Sequence, residues 1–246
     1  GLFGVRKTGK TSLLKQMVLG AELADQDTGR ERAFVYQDLE HLADFSLDPV
    51  AELLTDLRES IRKALKERGL RTKELADLPD NPSPHEFRIA LDNLLARLKP
   101  EQGLVLMLDE IEHLCHPNAE RNEDGTPSQK KVPQLFGVLR KVAEERNNFG
   151  LIIAGLASAS VEASQLYGRP NPLFELATPY FIEPFTSEEG TALLQGLGMR
   201  VGLTWTEEAV ELAMAESGGN VMLLRQMGSE VLAQLPAERT DKVTVD

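Results

Sequence analysis

Residues 4–11 read Gly-Val-Arg-Lys-Thr-Gly-Lys-Thr and satisfy G-x-x-x-x-G-K-[ST] in full. Those types at that spacing suit one chemistry, the cradling of a polyphosphate. Glycines let the backbone curl so that successive N–H groups converge on phosphate oxygens. A helix starting near Gly9 adds its positive end. Lys10 would bring a point charge to the β- and γ-phosphates, Thr11 a hydroxyl to a magnesium ion, and Ser12 a contact to the α-phosphate. The candidate binding set is Gly4, Lys7, Thr8, Gly9, Lys10, Thr11 and Ser12. A chance match is expected in about one chain in a hundred at this length. Here a strand ending Leu2–Phe3 precedes the motif and an apolar-periodic segment follows it.

Such a cradle needs an acidic partner on a neighbouring strand. "LVLMLDEIEHL" (104–114) supplies one, five apolar residues running into Asp109-Glu110. Both carboxylates then sit at the carboxyl end of a strand, where open parallel sheets bind ligands. Asp109 is the candidate metal holder together with Thr11, and Glu110 the candidate general base that would activate a water. The same segment also fits an ordinary strand end whose acidic residues open a helix. Its place about a hundred residues after the cradle favours the chemical reading.

The elements that must hold these residues follow from periodicity. A helix is expected from about Gly9, burying Leu13, Leu14, Met17, Val18 and Ala21. "RAFVYQDLE" (32–40) reads as a strand, and Asp48-Pro49 as the cap and first turn of a helix carrying Val50, Leu53, Leu54, Leu57, Ile61, Ala64 and Leu65 inward. "SPHE" (83–86) is a capping box ahead of Leu91, Leu94, Leu95 and Leu98. "LVLML" (104–108) and "GLIIAG" (150–155) are apolar throughout, as strands covered on both faces should be. A polar, turn-rich loop is expected at 116–129, a helix at about 131–147, and a short edge strand in "TPYFIEPF" (178–185). From Thr186 only helices are expected: one capped by "TSEE" (186–189), then 206–216, then 220–235.

Composition narrows the classes. The chain has 246 residues, 41% hydrophobic and 27% charged, with a net charge of −12. That balance describes a water-soluble globular protein and argues against polyanion binding by bulk charge. Its single cysteine, Cys115, allows no internal disulfide and fits a reducing, cytoplasmic setting. No apolar run approaches the roughly 18–20 residues that span a bilayer, and no signal peptide opens the chain. His113, Cys115 and His116 lack a second ligand pair at zinc spacing and read as a plain helix start. The basic run Arg58, Arg62, Lys63, Lys66, Arg68, Arg71 and Lys73 has no interleaved aromatics and reads as a solvated helix face. The N-K-x-D base-reading motif of small GTPases is absent. "ESGGN" (216–220) echoes the transporter ATPase signature but follows the acidic strand instead of preceding it.

Four segments together, "GVRKTGKTSLL", "LVLMLDEIEHL", "NPLFELATPYFIEPFT" and "ESGGNVMLLRQM", resemble the AAA+/STAND group of P-loop ATPases, with the nearest likeness to bacterial STAND-like modules of signalling and conflict proteins. The resemblance spans nearly the whole chain. It implies an α/β core (1–185) with a five-stranded parallel sheet in the order 5-1-4-3-2, a three-helix lid (186–236) and a linker (237–246) into a further domain. It also implies that the first strand is clipped and that sensor and effector domains lie outside this chain. ATP with magnesium would be hydrolysed slowly, with the nucleotide state controlling homo-oligomerisation through the nucleotide face. Arg169 would stand where such proteins place an arginine finger for a neighbouring subunit, and Arg225 where a lid arginine reaches the γ-phosphate. Each also reads as an ordinary surface arginine. Val221 replaces a common proline, and the strand-four polar sensor has two candidates, Ser158 and Ser160. Two rivals stay open: a nucleic-acid-associated ATPase of initiator or transposition-helper type, and a module that holds nucleotide with negligible turnover.

Overall fold

The computed structural model describes residues 1–42, 48–115, 129–234 and 242–243. Most of the expected 116–129 loop, His116 and most of the 237–246 tail lie outside them. Contacts divide the chain into two units. One comprises Gly1–Phe3 with Lys10–Phe181, the other Gly4–Gly9 with Ile182–Asp246.

The first unit alternates strands and helices: β1 (Leu2–Phe3), α1 (Lys10–Thr28), β2 (Glu31–Asp38), α2 (Pro49–Glu67), α3 (Lys73–Ala76), α4 (Pro84–Arg97), β3 (Gln102–Asp109), α5 (Val132–Glu145), β4 (Phe149–Gly155), α6 (Ala159–Glu162), the hairpin β5 (Gln165–Leu166) and β6 (Arg169–Pro170), and β7 (Tyr180–Phe181). The sheet runs β2-β3-β4-β1-β7 with every pairing parallel. With the small hairpin set aside, β7 is the fifth strand, and the order is the expected 5-1-4-3-2 read from the other edge. Register brings the strand ends to one level: Asp38 pairs with Asp109, and Phe3 with Gly155. Whatever leaves β1, β3 and β4 therefore emerges along one rim of the sheet.

Each face of the sheet has its own core. Ala33, Val35, Leu104, Leu106, Leu108 and Ile153 pack under α2, α4 and α5. The expected stripe of α2 is buried as read, with Ala64 partly so. Asp48 caps that helix by accepting from the Ala51 N–H, and Ser83 with Glu86 forms the capping box of α4. On the other face Met107 and Ala154 pack against Leu14 of α1. Here the expectation needs correcting, because Leu13 and Met17 are 41% and 45% exposed. The residues that α1 buries are Lys10, Leu14 and Asp25. At about 100° per residue that stripe leaves Leu13 roughly a quarter turn out. Helix rotation is fixed by the inward Lys10 at one end and by Asp25 at the other, where the Arg32 guanidinium grips its carboxylate with Nε at 2.8 and 3.0 Å from the two oxygens.

The second unit holds α7 (Ser187–Met199), α8 (Glu207–Ser217) and α9 (Val221–Gln234) around Leu194, Leu203, Trp205, Val210 and Leu224. Thr186 and Glu189 form a reciprocal capping box on α7, and Thr206 caps α8. Among the described residues no helix is long and apolar enough to cross a membrane.

Candidate functional site

Gly9 sits at φ 97° and Lys7 at φ 63°, the left-handed conformations that a phosphate-cradling curl requires. A Cβ at Gly9 would meet nothing within 4 Å, so conformation alone calls for glycine there. At Gly4 the demand is space, since a Cβ would lie 3.1 Å from the Thr8 hydroxyl. That hydroxyl donates to the Val5 carbonyl at 2.9 Å and closes the loop on itself. Lys10 and Thr11 open α1, with Lys10 buried; Ser12 is exposed.

β3 delivers Asp109, fully buried, to the same rim. The Thr11 hydroxyl donates to Asp109 Oδ2 at 2.6 Å, joining residues 98 positions apart. Oδ1 accepts from the Glu110 N–H at 3.0 Å. A third donor was missed in the sequence: the Tyr36 hydroxyl, 3.0 Å from Oδ2. Burial and then the charge of Asp109 push that phenol well above its usual range, so it stays protonated and donates. A buried carboxylate with three donors is fixed in direction.

Glu110 takes the left-handed conformation, φ 57° and ψ 46°, at the head of a 3-10 turn (Ile111–His113). A non-glycine residue there is strained, and such strain gathers at functional sites. Burial first, then the adjoining Glu112 carboxyl and the charge of Asp109, against the opposing pull of Lys10, together raise its pKa to about 7. Glu112 is the second residue that the sequence did not flag. Burial works against its ionisation, but the Glu110 carboxyl and the N–H groups of Glu112 and Leu156 outweigh that and hold its pKa below the usual value. Its Oε2 accepts from Leu156 N–H at 3.0 Å, just past the end of β4. Its Oε1 is buried and finds no well-aligned donor among the described residues. Gly155 makes room for this contact: a Cβ would fall 2.7 Å from Glu112 Oε2 and 2.7 Å from Ile111 Cγ2.

The first unit thus brings Lys10, Thr11, Asp109 and Glu110 together. Arg169 lies on the exposed β5–β6 hairpin, while Arg225 belongs to the second unit, on an exposed face of α9. Ser158 spends its hydroxyl on Glu162 at 2.6 Å, and the Ser160 hydroxyl is buried without a hydrogen bond among the described residues. Cys115 is buried, and burial raises its thiol pKa far above the usual range. Part of the basic run is engaged within the chain: Arg58 donates to the Leu78 and Pro79 carbonyls, Arg62 to Glu59, and Arg68 to the Arg32 carbonyl and Glu22.

No family model matches the chain, and no curated protein matches it by sequence. Its fold matches that of the Orc1 protein of Aeropyrum pernix, a structure solved in complex with DNA. The TM-score is 0.58 at 18% sequence identity, with the alignment covering 99% of this chain and 56% of that one.

Proposed function

We propose that this chain binds ATP with magnesium and hydrolyses it slowly, as the nucleotide-switch module of an AAA+ protein of STAND type. One observation carries the reading: the hydroxyl of Thr11, the last residue of a fully matched phosphate-loop motif, meets the buried Asp109 carboxylate at 2.6 Å. A hydroxyl and a carboxylate are the hard oxygen donors that magnesium prefers when phosphates complete its shell. Among the described residues no cluster of three or more His, Cys, Asp or Glu side chains could hold a metal alone, which suits an ion that arrives with its substrate. Bound there by Thr11 and Asp109, magnesium would neutralise charge on the phosphates.

The chain's own residues have distinct tasks in this reading. Gly4, Lys7, Thr8 and Gly9 shape the cradle, Lys10 offsets phosphate charge, and Ser12 reaches the α-phosphate. Glu110 accepts a proton from the attacking water once its carboxylate is ionised. Arg169, held out on a hairpin and without an ion pair among the described residues, serves a neighbouring copy. Input and output domains would then flank the module in a longer cytoplasmic protein.

Calorimetry with ATP and magnesium tests the binding. Lys10→Ala should lose measurable affinity, and an unchanged affinity would refute the cradle. Glu110→Gln should keep affinity and stop phosphate release; undiminished release would remove Glu110 from its role. A nucleic-acid-associated ATPase is the second reading, favoured by the fold shared with a DNA-complexed Orc1 protein. The net charge of −12 and the internally engaged arginines speak against it. DNA affinity with a steep salt slope would support it.

A further inference from the structure

The turn that carries Glu110 is held from a direction that the proposed chemistry does not require. The Tyr167 hydroxyl donates to the Leu114 carbonyl at 2.7 Å, and both groups are buried. Leu114 directly follows the 3-10 turn, and its own N–H bonds to Ile111. Tyr167 is the first of the two residues, Tyr167 and Gly168, that connect β5 to β6. Both have positive φ, 52° and 70°, as a tight primed hairpin turn demands. Asparagine, aspartate or glycine is the ordinary occupant of that first position; an aromatic residue there is strained. Strain of this kind persists only where the surroundings over-determine it, and it points toward function. Here the ring is 2% exposed and its hydroxyl satisfies a buried carbonyl across 53 residues. Two residues on from Tyr167 stands the exposed Arg169. A second brace acts on the hairpin's other flank, where the buried Asn171 side chain donates to the Ser160 and Ala163 carbonyls. That brace does not touch the Glu110 turn.

We propose that Tyr167 is a positioning residue that makes the exposed hairpin and the Glu110 turn one mechanical body, so that contacts made at Arg169 reach the general base of the same chain. This rests on the hydrolytic reading only for its consequence, not for the coupling itself. An apolar ring at the turn would present Arg169 equally well and keep the packing of hairpin on turn, but would remove the one hydrogen bond that ties the Leu114 carbonyl to the hairpin among the described residues.

Native-state hydrogen exchange on the nucleotide-free chain tests the coupling without any activity. In the wild type, the amides of His113, Leu114 and Cys115, all hydrogen-bonded within the turn, should open together with those of β5 and β6 and with the same denaturant dependence. Independent opening would overturn the proposal. Tyr167→Phe keeps the ring and removes only the hydroxyl. It should speed exchange at residues 113–115 by about tenfold, the equilibrium effect of one buried hydrogen bond. Asn171→Ala should loosen the hairpin flank without that change. Unaltered exchange in Tyr167→Phe, or equal acceleration in Asn171→Ala, would sink the idea. In turnover assays Tyr167→Phe should lower kcat about tenfold with KM for ATP within about twofold, because alignment of the base is lost and binding is not. A wild type with no turnover would remove the hydrolytic reading and leave the exchange result to decide the coupling.

Discussion

Replacing Gly155 by alanine adds one methyl group at the point where β4 ends against the Glu110 turn. Gly155 does not occupy a positive-φ conformation, so alanine meets no backbone penalty. In a strand it would even gain about 0.5 kcal/mol over glycine. The obstacle is space. The new carbon would stand 2.7 Å from both Ile111 Cγ2 and Glu112 Oε2. Ile111 is 1% exposed and has nowhere to retreat, so overpacking costs about 1–3 kcal/mol. Moving the carboxylate instead breaks its bond from the Leu156 N–H, worth about 1.5–3 kcal/mol for a charged acceptor. With the gain of about 0.5 kcal/mol subtracted, the two routes predict a net loss of about 0.5–2.5 kcal/mol. At roughly 2–4 °C per kcal/mol for a unit of this size, the melting temperature should fall by about 1–10 °C. Thermal and urea denaturation followed by circular dichroism measure both quantities. A double-mutant cycle with Glu112→Ala isolates the oxygen contact, and the two changes together should cost less than their sum. A Gly155→Ala protein that melts within 1 °C of wild type would refute the steric account and the claim that Glu112 ties the turn to β4.

Two further outcomes follow from ionisation. If Glu110 is the base, it must lose its proton to act, so kcat/KM should rise with pH through about 7; Glu112→Gln, by removing a neighbouring negative charge, should move that limb down by about one pH unit. An acid limb near 4, or one unmoved in the variant, would contradict the pairing. Asp25, held by Arg32 below the usual carboxylate range, stabilises the fold above its unfolded pKa and loses that contribution as pH falls through the folded value; Asp25→Asn should therefore cost about 2 kcal/mol at pH 7 and almost nothing in strong acid, read from urea midpoints.

The parts of this molecule legible in its sequence are those where one local rule dominates. Strands β3 and β4 are buried on both faces and read as unbroken apolar runs. The cradle is a contiguous motif whose backbone demands show as glycines. Asp48, Ser83 and Thr186 are caps because an unsatisfied helix N-terminus needs an oxygen acceptor, whatever lies beyond it. What escaped was set by tertiary register. Tyr36 looks like any strand aromatic until β2 aligns Asp38 with Asp109 and brings its hydroxyl to a carboxylate. A tyrosine in a strand read as buried does need a partner for its hydroxyl, and that was the one available signal. Glu112 is two residues past the flagged base, yet only the end of β4 gives it a function. Leu13 and Met17 failed for a related reason: apolar spacing suggests a stripe, but the charged anchors Lys10 and Asp25 decide which way α1 turns.

The rim that Lys10 joins is costly to build, and the kind of cost suggests what would fill it. Three carboxylates, Asp109, Glu110 and Glu112, stand close to the rim, with Lys10 near enough to act on Glu110; Glu110 is held at positive φ, and one Glu112 oxygen lacks a well-aligned donor among the described residues. Each of these opposes folding, and each is the preorganisation that a charged ligand with its metal would exploit. Stability and occupancy should then be linked. A ligand that binds only the folded chain raises stability by about 2.7 kcal/mol at a hundred times its dissociation constant. The rise in melting temperature with ATP should require magnesium, because phosphates alone would meet uncompensated carboxylates. A full thermal shift with ATP in the presence of excess chelator would mean that Asp109 does not face the nucleotide's metal, and the assignment of this rim as a magnesium-dependent site would fall.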